Sequence, residues 1–380
     1  MSADSNVQLA IPEPDPPESL FYIPATGPAT RPRRALKHGD TFIVVDSHGD
    51  IGASAGGSDG LYHDDTRFLS LLELRVNGAQ PLLLGSNVRD VNTLLAVDLT
   101  NPDLYVGDQI VLQKDIVHVA RTLFLWRGTA YQRIAVRNHG LKPVEVTLSL
   151  RFDNDFADVF EVRGERRKRR GVTSHRVIEG KGQVLLSYKG LDDAWRRTTL
   201  TFDPQPAELT ANSAIYRFVL APHEAPPIFL LVSCREAIGD PPAPYLRGLR
   251  SAHREQRRET RDIATVETSN DLFNEVLCRA AADLGMLMTE TPQGRYPYAG
   301  IPWYSTTFGR DGLITAIEML WCDPAMARGA GKNPARDARG RDGGTARGAL
   351  RALLRQRRLD AAVHPARRAL RRAHRRRCDR

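Results

Sequence analysis

The chain is poor in cysteine and in aromatic residues, and it has no long apolar run. Its 380 residues include four cysteines, Cys234, Cys278, Cys322 and Cys378, whose spacing fits neither a metal site nor a redox motif. We therefore expect reduced thiols and a cytoplasmic location. No segment approaches the roughly 20 apolar residues of a membrane helix, and residues 1–34 lack the apolar centre of a signal peptide. The sequence thus predicts no membrane partner.

The last segment, residues 333–380, lacks Lys, Glu, Ile, Phe, Tyr, Trp, Met and Ser, whereas its 48 residues hold sixteen Arg and ten Ala. With four Asp the charge of this tail is +12, and the whole chain carries +9, so the remainder is close to neutral at about −3. A basic tail can bind nucleic acid. This composition is instead typical of a GC-rich gene translated out of frame. Because the tail lacks aromatic residues for stacking on bases, we expect no nucleic-acid partner.

Composition divides the chain into five segments. Residues 1–34 are rich in Pro and acidic side chains, which predicts a disordered lead. Residues 35–238 carry a series of short strands. Residues 239–266 begin with a Pro-rich break and continue as a strongly charged helix, which predicts a solvated linker. Residues 267–329 contain two amphipathic helices, and residues 333–380 are predicted to be a disordered Arg-rich tail.

The strand signals of the second segment predict an antiparallel β-sandwich. Short runs rich in β-branched residues, such as TFIVVD at 41–46, recur at the spacing of a sandwich. The dipeptide Asn77-Gly78 at the end of FLSLLELRVNG is a strong hairpin signal. Residues 110–126 alternate apolar and polar side chains over a long run. About two hundred residues are sufficient to bury a sandwich core.

Two polar clusters within the strand region could have a binding function, but a structural interpretation is favoured for each. The basic run at 163–170, RGERRKRR, lies between strands and is predicted to be a solvated hairpin tip rather than a phosphate or nucleic-acid patch. The run at 62–67, YHDDTR, contains one His and two Asp, but adjacent residues rarely converge on one metal ion. We therefore expect a hydrogen-bonded turn and no metal, with the alternative that this turn helps to frame a pocket.

The stretch 301–320, IPWYSTTFGRDGLITAIEML, combines an aromatic pair with a Gly-Arg-Asp triplet and a helix start. Trp303 and Tyr304 lie in a loop, and apolar residues recur at helical spacing after Asp311, which places Asp311 at or near a helix N-cap. Aromatic rings beside Arg310 and Asp311 have the chemistry of a sugar-binding pocket, because sugar faces stack on rings and sugar hydroxyls bind guanidinium and carboxylate groups. The simpler alternative is a helix cap beside core aromatic residues.

This stretch resembles the start of the catalytic domain of bacterial proteins related to amylo-α-1,6-glucosidase, the glycogen-debranching glucosidase, which are (α/α)6-barrel glycoside hydrolases. Residues 60–78, GLYHDDTRFLSLLELRVNG, resemble the signature of the β-rich domain that precedes the barrel in those proteins. The resemblance covers roughly residues 35–329 and implies a β-sandwich followed by an incomplete (α/α)6 barrel. It also implies an α-glucan or oligosaccharide substrate, with Arg310 and Asp311 as a clamp on the hydroxyls of the released sugar.

The resemblance also bears on the tail. If one nucleotide was inserted after the codon of Lys332, the shifted codons are compatible with a peptide that begins ILHEMRGGEMAALREV and resembles the next part of the barrel. The family's SVDSTP segment, whose Asp is a candidate general acid, would fall where Arg358 stands. Because glycosidic cleavage uses two carboxylates, we name no catalytic residues. We expect a truncated, frameshifted chain that is inactive alone.

Three functional hypotheses follow, in this order of preference. The first is a fragment of an amylo-α-1,6-glucosidase-like hydrolase of carbohydrate metabolism, and the second is a non-catalytic carbohydrate-binding β-sandwich. The third is nucleic-acid binding through the tail. No cofactor is indicated, and the sequence does not specify the glycosidic linkage or the oligomeric state. Two helices cannot close a barrel, so we expect their apolar faces to be exposed or loosely packed on the sandwich.

Overall fold

An antiparallel β-sandwich forms most of the structure, and a small group of helices follows it. The computed structural model describes residues 32–330 apart from 53–56, 90–91, 166, 236–242 and 262. Within this part of the chain the order of elements confirms the predicted fold class, a mainly β region followed by helices. The predicted tail and nearly all of the predicted lead lie outside the described residues.

The strands are named in chain order. They are β1 (Arg34–His38), β2 (Thr41–Val45), β3 (Gly60–His63), β4 (Thr66–Leu69), β5 (Leu71–Val76), β6 (Leu82–Arg89), β7 (Leu94–Thr100), β8 (Leu104–Val106), β9 (Gln109–Leu112), β10 (Val117–Trp126), β11 (Thr129–Asn138), β12 (Val144–Asp153), β13 (Val172–Ile178), β14 (Gln183–Lys189), β15 (Trp195–Asp203), β16 (Glu208–Leu209), β17 (Ser213–Leu220), β18 (Pro227–Arg235), β19 (Met288–Thr291) and β20 (Gly294–Pro297). The helices are α1 (Val159–Val162), α2 (Tyr245–Glu259), α3 (Asp271–Leu287), α4 (Gly309–Glu318) and α5 (Pro324–Ala330).

Three sheets build the sandwich region. The large sheet has the order β13-β14-β15-β18-β11-β10-β7-β6, and the small sheet has the order β16-β17-β12-β5. Their facing sides share one apolar core, to which β12 contributes Val146, Leu148, Leu150 and Phe152 at alternate positions, none more than 1% exposed. The third sheet, β1-β2-β3-β4, lies next to the helical region, and we call it the platform sheet.

The turn at Asn77-Gly78 forms as predicted, but the strands on either side of it do not form a hairpin. Asn77 has a positive φ of 48°, and its backbone amide and side-chain oxygen bind the carbonyl and amide of Thr147 at 2.7 and 2.6 Å. The partner of β5 is β12, whereas β6 lies at an edge of the large sheet. The turn therefore carries the chain from one sheet to the other, and the predicted hairpin is wrong.

The alternating run at 110–126 is divided between two strands. β9 ends at Leu112 and β10 begins at Val117, and Asp115 between them has a φ of 65°. The buried side chain of Asn101 holds this turn, because it donates to the carbonyl of Gln113 at 2.7 Å and accepts from the amide of Val117 at 2.7 Å. The alternating sequence pattern of residues 110–126 gave no indication that Asn101 holds this turn.

Helix α2 packs across the outer face of the large sheet, so it is not the solvated linker that its charge predicted. Tyr245, Gly248 and Ala252 are buried on one side of the helix. They face a cluster that contains Phe124 and Tyr131 of the large sheet. A Cβ at Gly248 would approach the Tyr131 ring to 2.9 Å, so this position requires glycine. The charged residues occupy the other faces, which explains why composition alone suggested solvation.

The later helices leave apolar side chains exposed, as expected from the sequence. Leu272 is 70% exposed and Val276 is 57% exposed on α3. Ile314 on α4 and Trp321 just after it are each 50% exposed. In contrast to the sandwich core, the buried cluster of this region is small and centres on Tyr296. None of the helices among the described residues is long and apolar enough to cross a membrane.

A buried ion pair connects the sheets. Arg121 of β10 is 2% exposed, and its guanidinium donates to the carbonyls of His48 and Gly49 at 2.7 and 2.8 Å and to Oδ1 of Asp50 at 2.6 Å. The same Asp50 oxygen accepts from the amide of Leu74 in β5 at 3.2 Å. Burial raises the pKa of the Asp50 carboxyl, and the Arg121 charge opposes that rise.

We predict that Arg121→Leu destabilises the protein by about 3–5 kcal/mol, because it leaves the buried Asp50 carboxylate without its charged partner and two backbone carbonyls without their donor. Urea unfolding of the purified chain measures the change in free energy. The matched control is Arg217→Leu, since Arg217 pairs with Glu208 on the surface at 2.5 Å, and it should change stability by less than about 1 kcal/mol. Equal effects of the two substitutions would contradict the prediction.

Candidate functional site

The loop before α4 is closed on itself and rests on the platform sheet. Gly300 and Tyr304 exchange backbone hydrogen bonds of 3.1 and 2.9 Å, and the Ile301–Pro302 peptide bond is cis. Ile301 packs against a buried cluster that includes Phe42 and Tyr62, whose stacked rings are 4.5 Å apart. The position of Trp303 and Tyr304 therefore depends on residues more than two hundred positions earlier in the chain.

Arg163 joins the sandwich to this loop. Its guanidinium donates to the carbonyl of Trp303 at 2.8 Å. It also lies 5.1 Å from the Trp303 ring, 5.2 Å from the Tyr304 ring and 5.8 Å from the Phe160 ring, all within the distance of a cation–π interaction. Arg163 belongs to the basic run that was predicted to be a solvated tip. This part of the prediction is wrong, and nothing in the local sequence indicated the contact.

Two further arginines of the basic run, Arg167 and Arg170, are paired within the sandwich. Arg167 forms an ion pair with Asp158 and lies 3.3 Å from Glu161. Arg170 lies 3.5 Å from Glu161 and donates to the carbonyl of Asp155 at 2.7 Å. These acidic partners offset the positive charge that a phosphate or nucleic-acid patch needs.

Helix α4 begins at Gly309 with Phe308 as its N-cap, so Asp311 lies in the first turn and is not itself the cap. The hydroxyl of Tyr296 donates to the carbonyl of Phe308 at 2.5 Å, and a Cβ at Gly312 would overlap that hydroxyl. This close packing fixes the helix start two residues before Asp311. A carboxylate in the first turn still benefits from the helix dipole.

The four predicted site residues lie on one continuous segment and are accessible to different degrees. Trp303 is half-buried and Tyr304 is 43% exposed on the loop, where the Tyr304 ring meets Phe308 edge to face at 5.8 Å. Arg310 and Asp311 are exposed in the first turn of α4. The structure thus places the aromatic pair on the loop and the exposed cation and anion in the first turn of the helix that begins five residues after Tyr304.

A buried lysine supports the segment that leads into the loop. The ammonium of Lys37, on β1, donates to the carbonyl of Gly39 at 2.7 Å and to the hydroxyl of Thr289 at 2.5 Å. It also lies 4.7 Å from the centre of the Tyr298 ring, whose hydroxyl donates to Asp40 at 2.7 Å. Burial lowers the pKa of Lys37 to about 8, and the charge of Asp40 partly opposes this shift. Burial and the Asp40 contact raise the pKa of Tyr298.

The YHDDTR run forms the hydrogen-bonded turn that the sequence predicted, between β3 and β4. Asp64 and Asp65 both have positive φ, 44° and 57°. His63 bonds the hydroxyl of Thr41 at 2.8 Å, and Arg67 makes a bidentate pair with Asp155. In the part of the chain that the structure describes, no group of three or more His, Cys, Asp or Glu side chains is arranged to hold a metal ion.

Solved structures of low sequence identity resemble this chain to different extents. A protein described as a kojibiose phosphorylase from the human microbiome matches with a TM-score of 0.55 and 10% identity, over 78% of this chain and 45% of that chain. A glycosyl hydrolase of family 92 matches with a TM-score of 0.39 and 12% identity, over 77% and 44%. The chain therefore spans less than half the length of these proteins. No curated protein sequence matches it.

The match to the kojibiose phosphorylase agrees with the fold class of this chain, an antiparallel β-sandwich followed by a helical region. Sequence comparison is more specific. Residues 36–230, just over half of the chain, match the N-terminal domain of some glycogen debranching enzymes, and the chain belongs to this family. The match covers the sandwich and ends before α2, so it does not include the loop at 300–304.

We predict that Arg163→Ala loosens the loop without unfolding the sandwich. Loss of the cation–π contacts and of the bond to the Trp303 carbonyl should increase hydrogen exchange at the Tyr304 amide about tenfold, equivalent to about 1.4 kcal/mol. The control is Arg169→Ala, an exposed member of the same basic run, which should leave the exchange rate unchanged. Unchanged protection of Tyr304 in the Arg163 variant would show that this junction does not hold the loop.

We predict that Lys37 makes stability rise with pH above 8. Below pH 8 both folded and unfolded chains carry the proton, so the cost of burying the charge is present in full. Between about 8 and the ordinary value of 10.5 the unfolded chain retains a proton that the folded chain has lost, so stability increases. Relative to Lys37→Met, wild type should gain up to about 3 kcal/mol over this range, measured by urea unfolding.

The matched control for this experiment is Lys189→Met. Lys189 is exposed and pairs with Asp193 at 2.9 Å. Its substitution should leave the pH dependence of unfolding as in wild type. The prediction is wrong if the difference in stability between wild type and Lys37→Met stays constant from pH 7.5 to 10.5.

Proposed function

We propose that this chain is the sugar-binding N-terminal part of an amylo-α-1,6-glucosidase-like glycoside hydrolase that acts on α-glucans. The family of residues 36–230 supports the substrate class, because glycogen is an α-glucan. In this proposal residues 239–266 connect the sandwich to the barrel, and residues 267–329 supply its first helices. The observation that carries the proposal is a single segment in which a closed loop presents Trp303 and Tyr304 and the helix that follows presents the exposed Arg310 and Asp311 in its first turn.

The chemistry of these four residues is complementary to a glucosyl unit. The apolar faces of the sugar ring stack on the accessible aromatic surface, with Tyr304 as the more exposed ring. The Arg310 guanidinium donates to hydroxyl oxygens, and the Asp311 carboxylate accepts from hydroxyl protons. Arg163 holds the loop against the sandwich, which limits the entropy that binding would otherwise lose in ordering it.

The proposed role is binding without hydrolysis. Asp311 is the one carboxylate among the four residues, whereas cleavage of a glycosidic bond uses a general acid and a second carboxylate. In our proposal both catalytic groups lie outside this loop and outside the first turn of α4. A single first-turn carboxylate can orient a hydroxyl, but it cannot protonate the leaving oxygen and activate water at once.

A second candidate function is a carbohydrate-binding sandwich that works without the helical region. It is favoured by Trp195 at the start of β15, which is 43% exposed and lies 5.2 Å from the guanidinium of Arg197. An exposed indole on a β-sandwich is a suitable stacking surface for sugar. The two candidates therefore differ in which tryptophan contacts the glucan.

We predict that the full chain binds maltotriose and releases no glucose from it. Trp303→Ala should weaken binding at least about tenfold, or about 1.4 kcal/mol, through loss of stacking. Asp311→Asn, which retains the shape but removes the charge, should weaken it about three- to tenfold. Isothermal titration calorimetry measures both affinities, and a glucose assay tests for hydrolysis.

The matched control is Trp195→Ala, since both tryptophans contact arginine side chains but Trp195 lies on the sandwich. If Trp195→Ala abolishes binding and Trp303→Ala leaves it intact, the second candidate replaces the first. Absence of any binding by wild type contradicts both. Release of glucose contradicts the proposal of binding without hydrolysis.

A further inference from the structure

A cleft of about 420 Å³ lies on the sandwich beside α1, outside the loop at 300–304. The turn between β3 and β4, the start of α1 and the turn between β14 and β15 line it. Its volume falls within the range of roughly 300–1,000 Å³ that is typical of small-molecule sites. None of the four site residues discussed above belongs to this cleft.

Both arginines of the cleft are paired with carboxylates that also line it. Asp158 accepts from the amides of Phe160 and Glu161 at 2.9 Å and pairs with Arg167. Asp192 pairs with Arg196 at 3.0 Å. Because both guanidiniums already contact carboxylates, the cleft is poorly suited to phosphate. Two further carboxylates, Asp64 and Asp65, also line the cleft, but among the described residues no three acidic, His or Cys side chains are arranged to hold a metal ion.

Apolar groups share the cleft with these paired charges. Phe160 on α1 is 53% exposed, and Leu191 in the turn between β14 and β15 is 60% exposed. Engaged carboxylates and guanidiniums retain hydrogen-bonding capacity for hydroxyl groups. A neutral ligand that has both apolar faces and many hydroxyls matches this lining, and a sugar is such a ligand.

Arg163 connects the cleft to the proposed sugar-binding loop. Its guanidinium lies 5.8 Å from the ring of Phe160 and 5.1 Å from the ring of Trp303. The aromatic wall of the cleft and the aromatic pair of the loop therefore flank one side chain. A ligand that extends beyond Trp303 toward the sandwich would meet Phe160 next.

We propose that this cleft is a second sugar subsite, which holds further glucosyl units of the α-glucan chain bound at Trp303. Phe160 and Leu191 provide the apolar contacts, and the paired charges of Asp158, Asp192 and their arginines bind hydroxyls. This inference rests on the proposed function, because the same glucan chain occupies both subsites. It extends that function by giving the sandwich a direct part in selecting long chains over short ones.

The test compares maltotriose with maltoheptaose on the full chain by isothermal titration calorimetry. Wild type should bind the longer sugar more tightly. Phe160→Ala and Leu191→Ala should each weaken maltoheptaose binding, about tenfold for Phe160→Ala, and leave maltotriose binding unchanged. Trp303→Ala should weaken both. The control is Tyr105→Ala, an aromatic residue that is 60% exposed and does not line the cleft.

The two substituted cleft residues are largely exposed, so we expect the melting temperatures of both variants to match that of wild type. Phe160 is also close to Arg163, so Phe160→Ala could weaken binding through the loop at 300–304. Leu191→Ala tests the contribution of the cleft separately. If both cleft variants bind maltoheptaose as wild type does while Trp303→Ala binds weakly, this inference is wrong and the proposed function stands. If wild type binds neither sugar, the proposed function fails and the subsite fails with it.

Discussion

The buried guanidinium of Arg121 is the constraint on which the arrangement of the sheets depends. It extends from the large sheet to the connection that leaves the platform sheet after β2, and through Asp50 it reaches β5 of the small sheet. Burial of both charges is unfavourable unless every donor and acceptor finds a partner. The backbone at 46–50 therefore has to adopt one conformation, and that conformation sets how the three sheets meet.

The platform sheet connects the sandwich to the candidate site and positions it. Lys37 of β1 contacts Thr289 and Tyr298, and the Phe42–Tyr62 stack supports Ile301 at the base of the loop. These contacts join residues that are far apart in sequence, so the loop is stable only when the sandwich has folded. The family match and the proposed sugar-binding residues thus lie in different parts of the chain but form one structural unit.

Sequence patterns predicted local geometry well and long-range partners poorly. The sandwich, the turn at Asn77-Gly78 and the turn at 62–67 follow from β-branched runs and turn residues. The pairing of β5 with β12, the docking of α2 and the contact of Arg163 with Trp303 depend on residues that become neighbours only in the fold. The helix start near Asp311 was predicted from the sequence, whereas the contact of Tyr296 with the carbonyl of its N-cap residue was not.

The sandwich and the helical region differ in how well they are packed. The sandwich core is continuous across three sheets, whereas α3 and α4 leave Leu272, Val276 and Ile314 exposed. The small buried cluster around Tyr296 is built mainly by α4 and α5. Apolar burial is the main source of stability, so the sandwich folds on its own contacts and the helices depend on it. The loop at 300–304 is held by Arg163 and Ile301, so its rigidity comes from the sandwich rather than from α3 and α4. In the proposed function, sugar binding at this loop therefore depends on a folded sandwich.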